Sequence, residues 1–362
     1  MAVLLSEIKW GDPVLPATHD LEWEAELKRR GAQILEVDRR VAPNRWLREA
    51  AYEATNYVPI ALSERLHRMG NMVTAQENAC RYCYGANRAY MKVLGYSESF
   101  IQQVERDVQT AELDAKERAY IAFCRSLARS RPRPAAAERT ALLELGYTPD
   151  QIGEIAFAIS IGCFYNRVST LLAVPSEQKF ERMASGPFRW VLQLALPLMK
   201  KFGPRRPVQA APDRAALAAG PFGMVAAPLA GLRAGAVMKA ALDGAFESGR
   251  LSRSAKLLMF AVVARTLGCP HCEADANRLL AEEGLRPAEI ESAIATLHCP
   301  RLAQREAGLL AWARDTVYYE PSSIQQKTRA LGAELGDADA LLEAIGVASL
   351  ANGTVRLAML LE

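Results

Sequence analysis

Two pairs of cysteines carry the chemistry most visible in this sequence: Cys80-Arg81-Tyr82-Cys83 and Cys269-Pro270-His271-Cys272. Cysteines at i and i+3 on a helix share a face and lie close enough to form a disulfide. A helix N-terminus favours the thiolate, the reactive form. Asn78 is the expected N-cap of the first helix and places Cys80 and Cys83 in its first turns. Pro270 is a natural first helical residue and puts Cys269 at the cap of the second. Both placements predict lowered thiol pKa values and read as a dithiol/disulfide redox pair, present twice. Other readings compete. Buried cysteines can be plain core residues. Structural zinc needs four ligands, so the pairs would have to join or borrow His67 or His271. A c-type haem site needs histidine directly after the second cysteine, where Tyr84 and Glu273 stand. No phosphate-binding or dinucleotide fingerprint occurs, so neither cofactor nor metal is expected.

The elements that position these pairs repeat. Cys80 maps onto Cys269 at an offset of 189, and the same offset carries Gly95 onto Gly284, Ile101 onto Ile290, Glu154 onto Glu343 and Arg167 onto Arg356. Each copy reads as helices. One runs from Cys80 to Leu94 and stops at Gly95; its counterpart runs from Pro270 to Glu283 and stops at Gly284. Asp114 is a natural cap for the next helix. Thr148-Pro149 opens another, and Asp337 holds the equivalent place. The run Ile152 to Leu172 is apolar, alanine-rich and without strand alternation, which suits a central buried helix. A thioredoxin fold needs alternating strands and helices and is set aside.

The chain has 362 residues, 44 of them basic and 41 acidic, with 50% hydrophobic residues. That length suggests two domains, at about 100–200 residues each. The near-balanced charge gives no support for nucleic-acid binding. Seven cysteines spread over so long a chain do not form a secreted disulfide scaffold. No signal-peptide pattern and no membrane span is read, so a reducing cytoplasm is expected. Residues 1–45 are an N-terminal arm without a counterpart, packing on the core or on a neighbour. The first domain is 46–185 and the second is 214–362. Between them, 186–213 is a linker whose Phe188 to Phe202 stretch is amphipathic and whose Gly203 to Pro212 stretch is rich in proline and arginine.

Asn78-Ala79-Cys80-Arg81-Tyr82-Cys83, the downstream Gly95 and Asn166-Arg167 resemble the AhpD-like, carboxymuconolactone decarboxylase superfamily. The resemblance covers residues 50–175 and, more weakly, 220–362. It implies an all-α fold of two tandem AhpD-like domains packed as a pseudo-dimer, and homo-oligomers. In redox-active members it implies a thiol peroxidase or disulfide reductase. Carried over, Cys83 and Cys272 attack a small peroxide or disulfide, Cys80 and Cys269 resolve, and an external dithiol resets the pair. This sequence departs from the family pattern. Asn87 and Ala276 stand where active members place a histidine, and Arg68 and Leu257 where they place a glutamate. His271 matches a histidine that some members carry between the cysteines. Glu77 can stand in for the lost glutamate. His67, one residue from the glutamate position, is expected at the surface. Cys124, Cys163 and Cys299 are expected as buried small residues, and Tyr82, Tyr84 and Tyr90 as core. The leading function is a thiol-dependent oxidoreductase. The alternative is a catalytically weak helical shell that binds a small apolar ligand or a protein partner.

Overall fold

A computed structural model of the chain describes residues 3–60, 62–177 and 212–362, and every regular element among them is helical. The amphipathic run and nearly all of the expected linker lie outside the described residues. The first set of helices is α1 (Leu21–Arg29), α2 (Glu36–Val41), α3 (Arg45–Asn56), α4 (Glu64–Glu77), α5 (Arg81–Val93), α6 (Glu98–Arg106), α7 (Ala115–Arg129), α8 (Ala136–Glu144) and α9 (Pro149–Leu171). The second is α10 (Arg214–Ala218), α11 (Gly223–Ala226), α12 (Arg233–Glu247), α13 (Arg253–Thr266), α14 (Pro270–Glu282), α15 (Pro287–Thr296), α16 (Leu309–Asp315), α17 (Pro321–Leu335) and α18 (Ala338–Leu357).

The offset that aligns the cysteines also aligns the first residues of α4 with α13, α5 with α14, α6 with α15 and α9 with α18. The caps follow suit. Ser63 Oγ accepts from Leu66 N, and Ser252 Oγ accepts from Ala255 N. Asp114, Thr148 and Asp337 cap α7, α9 and α18 as their positions predicted. The N-terminal arm is a partial correction. Two short helices, α1 and α2, precede α3 much as α10 and α11 precede α12, so the arm from Leu21 onward has counterparts among the described residues. That leading stretch packs on the chain itself: Val14 N donates to Leu172 O at 2.9 Å, and Gly11 N to Gln325 Oε1 at 2.8 Å.

α9 and α18 form the centre. Both are apolar on nearly every side, because each is surrounded by other helices. They approach closely at Gly353, where a Cβ would lie 2.8 Å from the Ser160 carbonyl oxygen. The span Ala338–Leu361 is long and apolar enough to cross a membrane, and an 18-residue apolar window within it is 94% buried inside the protein.

The two sets cap each other. Arg167 on α9 donates through Nε to Thr316 O (2.9 Å) and through Nη2 to Val317 O (3.0 Å), beyond the end of α16. Arg356 on α18 donates through Nε to Ala128 O (3.1 Å) at the end of α7. Each arginine sits at the negative end of a helix in the other set, which is where a buried cation is best tolerated. Burial and the neighbouring Arg167 charge bring the Arg356 pKa down to about 10.

Candidate functional site

Each cysteine pair sits at a tight helix-to-helix turn. Asn78 ends α4; it does not cap α5, as the sequence suggested. Cys80 N reaches back to Ala75 O (3.0 Å) and Ala79 N to Gln76 O (3.0 Å), which forces Ala79 into the left-handed region at φ 47°. Cys80 then becomes the N-cap of α5, its sulfur accepting from Cys83 N at 3.3 Å. The second turn is built alike, with Gly268 at φ 66° and Cys269 Sγ accepting from Cys272 N at 3.5 Å. A thiol thus takes the capping role usually held by Ser, Thr, Asp or Asn.

That geometry separates the two thiols of a pair. Burial pushes the Cys83 thiol well above its usual pKa, and the hydrogen bond with Cys80 adds to this; the Ser169 hydroxyl opposes it. The Cys272 thiol is raised by its hydrogen bond with Cys269 and by burial. Cys269 is lowered to about 7, first by the Cys272 thiol and then by the Cys272 amide and the charge of Arg133. The expectation of two lowered pairs is therefore corrected. The helix terminus favours the thiolate of the capping sulfur, as at Cys269, while Cys83 and Cys272, one turn inside, meet the cost of burial. The roles that the sequence resemblance implies assign attack to those two raised thiols.

Cys83 lies in the wall of a cavity of about 420 Å³, between α3, α4, α5, α9 and the turn before α2. His67, expected at the surface, is only 8% exposed and lines this cavity. Asn71 Nδ2 lies 3.1 Å from His67 Nε2. With the Asn71 amide nitrogen as donor, Nε2 accepts and Nδ1 carries the proton, with no partner among the described residues. Burial, helped by the Arg68 charge, brings the His67 pKa down to about 3. The imidazole is neutral at physiological pH. Arg68 lies over the Tyr90 ring at 4.1 Å, and Asn87 donates to Cys83 O at 2.9 Å. Both line the cavity.

Other expected residues are placed elsewhere. Glu77 is corrected. Its carboxylate meets Arg125 Nη1 at 2.7 Å and Arg129 Nη2 at 2.9 Å, so it ties α4 to α7 and forms no part of the cavity wall. His271 is exposed in the first turn of α14. Tyr82 is buried, its hydroxyl donating to Glu177 Oε1 at 3.0 Å. All seven cysteines are buried free thiols. Among the described residues no group of three or more His, Cys, Asp or Glu is placed to hold a metal.

The second set fills the equivalent space. Lys256 stands at the His67 position, its Nζ 3.0 Å from Glu343 Oε1 and 2.8 Å from Ala245 O. Leu257, Phe260 and Ala276 replace Arg68, Asn71 and Asn87, and all three are fully buried. Phe260 stacks on Phe222 with ring centroids 4.2 Å apart and meets Phe246 at 5.4 Å. Sequence reasoning overlooked this divide. The available signal was the switch from polar to apolar at three aligned positions while the cysteines stayed constant.

No protein-family profile matches the chain, and no curated protein does. Among solved structures it is similar to the alkylhydroperoxidase AhpD core of an uncharacterized peroxidase-related protein from Ralstonia eutropha JMP134. The identity is 18% and the TM-score 0.42, over 49% of this chain and 100% of that one.

Proposed function

We propose that the chain is a tandem pair of AhpD-like helical units packed as a pseudo-dimer, and that its first unit is a thiol-dependent oxidoreductase. The observation that carries this reading is the placement of Cys83: it lines a cavity, and its thiol is hydrogen-bonded to Cys80, the capping thiol of the same helix. A peroxide ROOH entering the cavity is attacked by the Cys83 sulfur. The S–O bond forms, the O–O bond breaks, and the thiol proton leaves with the alkoxide as ROH. Cys80 then attacks the sulfenic acid, the S–S bond forms and water departs. An external dithiol reduces the disulfide by exchange. Because the thiol proton ends on the leaving oxygen, the overall step is balanced starting from the protonated thiol that burial favours.

A second reading, a shell that binds its ligand without turning it over, is favoured by that same raised thiol and by Asn87 and Arg68 standing where a relay is expected. Peptide mapping after alkylation, before and after one equivalent of hydrogen peroxide or an organic hydroperoxide, separates the two. Rapid formation of a Cys80–Cys83 disulfide that a dithiol reverses supports the oxidoreductase. Thiols that remain free and slow to react leave the binding shell.

A further inference from the structure

The cavity beside Cys83 has a charge character of its own. Its walls are largely apolar, with alanines, Leu35, Val93 and Ile161 beside tyrosine rings. Among the described residues that line it, none is Asp or Glu, and the one permanent charge is Arg68. Arg68 has no carboxylate partner among the described residues, and its Nε is buried without a hydrogen bond. Two further wall residues carry a buried polar atom with no partner among the described residues: His67 Nδ1 and Asn166 Nδ2. With Nδ1 protonated, both can donate. A half-buried guanidinium without a counter-ion, among unsatisfied donors, is costly unless something supplies acceptors. The second set shows the same site without that requirement: Leu257 replaces Arg68, and Lys256 is neutralised by Glu343.

We propose that this cavity binds an amphiphilic organic carboxylate, with the carboxylate against Arg68 and the hydrocarbon body along the apolar walls. The inference builds on the reading of this cavity as the substrate site, and it names the chemical class the site selects. A planar carboxylate matches the guanidinium fork and brings the acceptors that the walls lack. The volume falls in the range of small-molecule sites, about 300–1,000 Å³. Neutral compounds of the same size satisfy the apolar walls and leave Arg68 with its contact to the Tyr90 ring and no carboxylate.

The test is isothermal titration of the full chain with sodium decanoate and, as the uncharged control, decanol. Decanoate is expected to bind one per chain, about tenfold or more tighter than decanol, the scale of one charge-assisted contact. Arg68→Leu, the residue that the second set already carries, removes that preference and leaves decanol binding unchanged; Arg68→Lys retains part of it. Cys83→Ser keeps decanoate binding while abolishing peroxide-driven disulfide formation, so failure of the thiol chemistry and failure of this inference are distinguishable. Equal affinity for decanoate and decanol in the unmodified protein, or no decanoate binding, overturns the inference without recourse to any variant.

Discussion

His67 makes the protein sensitive to acid in a way that can be calculated. In the folded chain its pKa lies at about 3, because the imidazole is buried and Arg68 is beside it. In the unfolded chain it returns to about 6.5. The folded value is the lower one, so the unfolded state binds the extra proton between these limits. The associated stability is fully present above about pH 6.5 and is lost as pH falls toward the folded value. Between pH 7 and pH 4.5 this single residue removes about 2.6 kcal/mol. Urea unfolding followed by circular dichroism at the two pH values measures the loss. His67→Gln deletes the titration and keeps a polar side chain. The unmodified protein is expected to lose about 2.6 kcal/mol more than the variant over that interval. Equal losses refute the placement of a neutral, buried imidazole in this wall.

The turns, the core and the second thiol pair give further tests. Ala79→Gly relieves a left-handed alanine and is expected to stabilise the fold by about 1 kcal/mol, whereas Gly268→Ala costs a similar amount; thermal midpoints report both. Gly353→Ala drives a methyl into the Ser160 carbonyl at the crossing of α9 and α18 and is expected to cost at least about 1–3 kcal/mol in urea unfolding. Lys256→Met strands the buried Glu343 carboxylate and is expected to cost about 3–5 kcal/mol, part of which Glu343→Gln restores in the double variant. Thiolate absorbance at about 240 nm is expected to rise as pH increases through about 7 and to lose that step in Cys269→Ser.

Much of the architecture is legible in residue order because it rests on local chemistry. Thr148-Pro149, Asp114 and Asp337 announce helix starts, and Gly95 and Gly284 announce ends, since few other residues satisfy those backbone positions. The central helix over Ile152 to Leu171 is visible because it is apolar all round. The site is less legible because its properties arise between elements. Asn78 has the composition of an N-cap, yet the left-handed Ala79 behind it hands that role to Cys80. His67 shares α4 with residues on two sides, and only the packing of α9 and the turn before α2 shows that its face is buried. Glu77 is close to Cys80 in sequence, but α7 brings Arg125 and Arg129 to it from across the fold. The opposite fates of Cys269 and Cys272 depend on which sulfur receives the amide proton, a matter of about one helical turn.

The Arg167 and Arg356 contacts bear on how this protein can diverge. A dimer of identical chains places the same side chain at both equivalent positions, so any change that opens one chamber opens its twin. Here the two positions are His67 and Lys256, read from different codons of one gene. One half can give up its chamber and become rigid ballast, while its arginine still braces the helix end of the other. The half that keeps a chamber stays tethered by the covalent chain to the half that braces it.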